Sequence, residues 1–341
     1  MIRLGNGGID SAAFHAAMSS PAVLDITPAV RERLERDRAV VMRAAEGAAP
    51  VYGLNTGLGA NLGHRLVPDE IAAFQRQLIE GRAVAVGPLL AEPVGRGVLL
   101  ARLLSAAGGG SGISLEMFDY LVAVYASGLS PAVPEFGSIG ASDLTHNATL
   151  MLALLGDGQI WHAGRLVDAR VGLAAVGLTP PALQPKDAMA LINHGGLSVA
   201  LAAIALSGAE EALAMSRAAI LLSYAGYEAN TDILAPEINA LRPAPGQQEM
   251  AAWLAARLQG GAASPRRVQE ALSFRVVAPV MGAACAALDH AQSVWRGEAN
   301  GLSDSPAVLG DDAMRSTANF HAPALALALE SRAPSVARNQ A

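Results

Sequence analysis

The sequence predicts a mainly helical fold: an N-terminal globular part, residues 1–190, followed by long helices of a central bundle, residues 191–341. Three observations predict it. Helix-type spacing of apolar residues, punctuated by Pro and Gly, recurs along most of the 341-residue chain. Two Ala- and Leu-rich patterns, Asn193 to about Ala229 and Pro265 to about Arg296, run for ~30 residues with apolar residues on most faces, as in helices central to a bundle. Hydrophobic residues make up 52% of the chain against 16% charged, enough for a large core and for further burial between subunits.

The elements follow in order. Thr27-Pro28 fits an N-cap and N1 pair opening a helix to about Glu46. Val51-Tyr52-Gly53-Leu54-Asn55-Thr56-Gly57-Leu58-Gly59 is too glycine-rich for a regular helix and reads as a shaped loop. Helical spacing resumes from Pro68 to about Ala85 and from Pro93 to Ala107. Gly108-Gly109-Gly110-Ser111-Gly112 breaks it, and a further helix runs from Ser114 to about Ser127. The chain after Pro131 reads as irregular until Ser142 or Asp143, either of which could cap a helix from Leu144 to Leu155 that stops at Gly156. Gln159 to Val167 reads as hairpin-like.

Composition excludes several classes of function. A net charge of −6 without a basic cluster argues against nucleic acid. The most apolar stretch, Leu191 to Ala225, is interrupted by Glu210, Glu211 and Arg217, so no membrane span is expected. The one cysteine, Cys285, permits neither an internal disulfide nor a cysteine-built metal site. His146, His162, His290 and His321 lack ligand spacing, and no phosphate-binding glycine loop is present, so neither metal nor nucleotide is expected. Met1 to Asp10 has no signal-peptide pattern, and the cytoplasm is the expected location. Lys186 is the only lysine, which reads as a reflection of base composition.

One run carries the most chemistry. Gly137-Ser138-Ile139-Gly140-Ala141-Ser142-Asp143-Leu144 resembles the signature Gly-Ser-x-Gly-Ala-Ser-Gly-Asp-Leu of the histidine and phenylalanine ammonia-lyase family. Five further segments resemble that family in its order. They are the Tyr52 loop, Ala190-Leu191-Ile192-Asn193, Ser273-Phe274-Arg275, Asp304-Ser305-Pro306 and Ala318-Asn319-Phe320-His321.

The resemblance implies an ammonia-lyase-like helical fold and loss of ammonia from an aromatic or imidazole-bearing α-amino acid, leaving an α,β-unsaturated acid. It implies Tyr52 as the base and Arg275 as the partner of the substrate carboxylate. Asn193 and Phe320 would lie near the prosthetic group, and Arg82 stands where histidine lyases place a side-chain-contacting His. It also implies a homo-oligomer, a tetramer whose sites draw on three chains. Read without the family, Tyr52 is a loop tyrosine, Arg275 half of an ion pair in a long apolar helix, Asn193 and Ser142-Asp143 helix caps, and Phe320 a core residue.

In the family, the Ala-Ser-Gly tripeptide cyclises to a methylidene-imidazolone, an electrophile that assists departure of the amine. Here Ala141-Ser142-Asp143 would have to form it, because the Gly is missing. Ring closure needs the third residue's nitrogen, and an Asp there places a Cβ and a carboxylate beside the ring, so an ordinary peptide is expected. The family's C-terminal segment is also not found before Ala341, and Leu272 stands where many members carry a second tyrosine. Three functions stay open. These are a lyase using the imidazolone, a lyase without it acting on a quaternary amine as ergothioneine-cleaving relatives do, and an inactive paralogue that serves as a structural partner.

Overall fold

The structure, a computed structural model, describes residues 1–5, 8–59, 63, 65–66, 68–258, 267–310 and 312–330. It is mainly helical, as the sequence predicts, and the chain divides into two compact units. The first comprises Met1–Ile204 and Trp295–Pro323; the second comprises Ala205–Val294 and the chain from Ala324 onward.

The first unit is built on the helix Glu92–Ala107, buried from Val94 to Ala107, which is why that segment is mostly apolar on every face, Arg96, Arg102 and Ser105 being its buried polar residues. Phe14 and Met18 of the helix Ser11–Ser19 pack into this core, and Phe14 meets Trp295 edge to face at 5.4 Å. The Trp295 indole donates to Val199 O at 2.9 Å, which satisfies the polar atom of a fully buried ring. The helices Pro28–Glu46, Leu115–Ser127 and Leu144–Leu154 stand as read, and the hairpin pairs Gln159–His162 with Arg165–Asp168.

Other boundaries differ. The helix from Pro68 ends at Glu80, and Val86–Leu89 is a strand paired antiparallel with Pro134–Phe136. Its Gly and Pro hide it locally; a partner almost fifty residues away creates it. The pattern read from Asn193 to about Ala229 is the helix Gly196–Tyr227; Asn193–Gly195 separate it from a short preceding helix, Asp187–Ile192, that the pattern does not include.

In the second unit, Tyr224, Leu234, Met250, Leu254, Val277 and Met281 form the core. The pattern read from Pro265 begins outside the described residues. Those that follow give a one-turn helix, Leu272–Arg275, and then Val277–Asn300. Phe274 stacks on Tyr227 at 4.8 Å, and the Tyr224 hydroxyl donates to Phe274 O, which closes the break between these helices.

The stretch Asp187–Tyr227 is long and apolar enough to cross a membrane by length and composition. However, 72% of its most apolar window is buried within the molecule, as in a core helix.

Candidate active site

The run read as the catalytic signature is a tight turn entering the helix Leu144–Leu154. Thr145 Oγ1 donates back to Gly137 O, and a Cβ on Gly137 would lie 2.7 Å from that hydroxyl, so the start of the turn admits only glycine. Ser142 has φ +49°, a left-handed conformation uncommon for a residue with a side chain. Its hydroxyl is buried and, among the described residues, has no hydrogen-bond partner.

Asp143 occupies the N-cap position of this helix, but its side chain makes no cap bond there. The carboxylate reaches another helix instead. It accepts from Ser198 N at 2.8 Å and Ser198 Oγ at 2.9 Å, in the first turn of Gly196–Tyr227. Two of that helix's unpaired N-terminal donors face a carboxylate, because Leu197 N also bears on Asp143. Burial nevertheless dominates and pushes the Asp143 carboxyl above its ordinary 3.8, with the Ser198 bonds, His146 and Leu197 opposing it.

The break before that helix is held from the same side. Asn147 Nδ2 donates to Ile192 O at 2.9 Å and to His194 O at 2.7 Å, and Asp143 N donates to His194 O at 3.2 Å. Gly196 N donates to His194 Nδ1 at 3.1 Å, leaving Nε2 to donate to Leu191 O at 2.9 Å. Burial first, then the Arg102 charge, holds His194 well below 6.5, so the ring is neutral. Asn193, 8% exposed, closes the helix Asp187–Ile192 and donates through Nδ2 to Ser305 O at 3.2 Å. The structure thus brings Asp143, Asn193 and the Asp304-Ser305-Pro306 segment to one end of the long helix.

Tyr52 lies 38% exposed on its loop, with its hydroxyl accepting from Gly59 N at 3.4 Å. The loop is shaped by Asn55. This buried amide accepts from Val51 N at 2.7 Å and donates to Ala44 O at 3.1 Å and Ala49 O at 2.9 Å. Leu54 anchors it in a cluster with Val40, Val41 and Val308. The loop is therefore fixed at its base while the tyrosine stays accessible.

Arg82 follows the helix Pro68–Glu80, and its guanidinium donates to Leu78 O at 3.1 Å. Phe320 is half-buried and lines a cavity with His194, Gly195 and Gly196. Arg275 corrects an expectation: it lies not within a long apolar helix but exposed at the end of the turn Leu272–Arg275. With the Gln269 amide oxygen facing it, Gln269 accepts from Arg275 Nε at 3.3 Å and Nη2 at 2.8 Å. The guanidinium there is open to solvent and faces a neutral amide.

Sequence reasoning missed a buried ionic cluster. Arg102 Nη1 donates to Asp304 Oδ2 at 2.8 Å, and Lys186 Nζ lies 3.5 Å from Asp304 Oδ1, all three side chains at most 1% exposed. Burial lowers the Lys186 pKa, with Asp304 the main opposing influence. The lone lysine was the available signal. This cluster fixes the segment whose Ser305 carbonyl receives Asn193.

Residues 9–340 match the sequence model of the family described as aromatic amino acid lyase. The chain belongs to that family. It is 36% identical over 321 residues to the histidine ammonia-lyase of Bradyrhizobium diazoefficiens, covering 91% of this chain and 61% of that protein. The chain therefore spans about three fifths of the length of the curated relatives it matches. The crystal structure of histidine ammonia-lyase from Trypanosoma cruzi superimposes with a TM-score of 0.88 at 27% identity, covering 98% of this chain and 64% of that one. The ergothioneine-degrading ergothionase of Treponema denticola superimposes with a TM-score of 0.89 at 26% identity, covering 98% and 68%.

Within this lyase-family fold, Ala141-Ser142-Asp143 does not fit a ring closed through the Asp143 nitrogen. That nitrogen donates to His194 O, and the side chain on the same Cα is tied to Ser198. Closure would break the first bond and displace a buried carboxylate from its two partners.

Proposed function

We propose that this chain is a carbon–nitrogen lyase that eliminates ammonia or an amine from an aromatic or imidazole-bearing α-amino acid, leaving an α,β-unsaturated acid. The observation that carries this reading is the match of the chain to the aromatic amino acid lyase family over residues 9–340. In this reading the Tyr52 hydroxyl, accessible on a loop braced by Asn55, takes the β-proton. The electrons of the C–H bond form the new double bond, and the C–N pair leaves with the amine. Arg275, exposed and facing the Gln269 amide, pairs with the substrate carboxylate, and Arg82 meets the far end of the side chain.

Asp143 favours a second form of the same chemistry. With its nitrogen and carboxylate both engaged, the tripeptide stays an ordinary peptide, and the amine must then leave unaided. A quaternary amine can do so. Similarity to an ergothioneine-degrading enzyme supports this form.

Assembly belongs to the proposal. Ala205, Gly208, Ala212, Met215, Ala219, Leu222 and Gly226 are exposed at alternating spacings of three and four along one helix. Such a seam of small and apolar residues suits helix packing between copies, and a homotetramer is the assembly the family resemblance favours. A cytoplasmic location agrees with the single thiol, Cys285.

The test is turnover by the purified chain of L-histidine, L-phenylalanine and the trimethylated betaine of histidine, followed by the absorbance of the unsaturated acid. Product from either class supports a lyase, and product from the betaine alone supports the second form. No product from any of them would leave the inactive paralogue.

A further inference from the structure

The short helix Asp187–Ile192 holds one dipeptide from both of its ends. Lys186 precedes it; the ammonium donates to Ser111 O and lies 3.5 Å from Asp304 Oδ1. Asn193 follows it, and the amide donates to the carbonyl of the very next residue, Ser305, at 3.2 Å. One planar peptide joins Asp304 to Ser305, so a displacement of the first is passed to the second.

The same dipeptide secures the chain that leads to Phe320. Thr317 Oγ1 donates to Asp304 O at 2.7 Å, and Thr317 N donates to Ser305 Oγ at 3.0 Å. Asn319 N donates to Thr317 Oγ1 at 3.3 Å. All of these residues lie within the first unit. Asn193 and the Phe320 segment therefore take their positions from Asp304, and Asp304 takes its own from Lys186 and Arg102.

Lys186 stands there at two costs. Its φ is +72°, in the region that favours glycine, and its side chain is 1% exposed, sharing Asp304 with Arg102. An apolar side chain of the same length would fill the space without the second cost. What it would lack is the hold on Asp304. Backbone strain of this kind marks a functional constraint.

We propose that Lys186 is a positioning residue for the elimination, acting through Asp304 and Ser305 to place the Asn193 amide and Phe320. Buried as it is, Lys186 touches no substrate. The roles of Asn193 and Phe320 rest on the lyase reading; the clamp that joins them does not.

The experiment is amide hydrogen exchange of the full chain, followed in peptides by mass spectrometry. In Lys186→Met, which keeps the length and loses the charge, the amides of Thr317 and Asn319 should exchange about tenfold faster. The hairpin Gln159–Asp168, which shares none of these bonds, should stay within about twofold. No change at Thr317 and Asn319 would overturn the proposal, as would an equal rise in the hairpin, the sign of a merely structural lysine. Should the variant not fold, the wild-type chain decides. With increasing urea, the amides of Ala190, Asn193, Thr317 and Asn319 should open as one unit, and separate openings would overturn the proposal. On a substrate that the chain turns over, Lys186→Met should lower kcat about tenfold, but no more than about threefold beside Asn193→Ala. Equal losses in both backgrounds would overturn the role in the elimination. A chain that turns over nothing defeats the lyase reading, while exchange still decides the clamp.

Discussion

Asp143 and Ser198, fifty-five residues apart, share two hydrogen bonds, of 2.8 Å and 2.9 Å, that tie the signature turn to the first turn of the longest helix. A residue in the position expected to close a prosthetic ring serves as the anchor of another helix. The same reach explains why the Leu144–Leu154 helix has a cap residue with no cap bond.

This anchor has a pH signature. Burial raises the Asp143 carboxyl above 3.8 in the folded state. The folded protein therefore holds this proton more tightly than the unfolded chain does. The stabilisation from it is complete below 3.8 and is lost as pH rises from there through the folded-state pKa. Urea unfolding from pH 4 upward should show a decline in stability that Asp143→Asn removes in part. Parallel pH profiles for the two proteins would contradict it. Ser198→Ala should cost about 1–2 kcal/mol, and an unchanged unfolding midpoint would deny the anchor its role.

Tyr52→Phe removes only a hydroxyl from an accessible ring. If Tyr52 is the base, kcat falls about 10²–10⁴-fold while the unfolding midpoint stays where it is. An unchanged kcat reassigns the proton transfer.

Arg275→Gln should raise KM about 10–100-fold, the loss of a charge-assisted pair with a carboxylate, with little change in stability because the side chain is exposed. Steady-state kinetics and a melt on the same sample separate this from a folding defect. A lower Tm with an unchanged KM would make Arg275 structural.

The fold was legible where the information is local. The helix Glu92–Ala107 and the hairpin Gln159–Asp168 announce themselves by composition and period. The short helix Asp187–Ile192 and the turn Asn193–Gly195 after it did not, because that turn is held by Asn147, over forty residues away. The strand Val86–Leu89 was hidden for the same reason. In the site, motif order gave Tyr52, Asn193, Arg275 and Phe320 as candidates. It could not show that Asn193 donates to Ser305, or that Lys186 shares Asp304 with Arg102 across more than a hundred residues. Arg275 does not lie within a long apolar helix, as its sequence pattern suggests, because the turn that carries it is closed by Tyr224 and Tyr227 on another helix.

The Arg102–Asp304 pair should be the most sensitive point of the first unit. Asp304→Ala leaves two fully buried cations without their shared anion and should cost about 3–5 kcal/mol in denaturant unfolding. A loss below about 1 kcal/mol would mean that solvent or another carboxylate takes over, and that the cluster does not hold the Ser305 segment.

The intact mass of the purified protein decides whether Ala141-Ser142-Asp143 remains an open peptide held by Asp143. The expected result is the mass calculated from the sequence, with no near-ultraviolet band that borohydride removes. A protein lighter by two water molecules, with such a band, would contradict it and show that the ring closes through the Asp143 nitrogen after all.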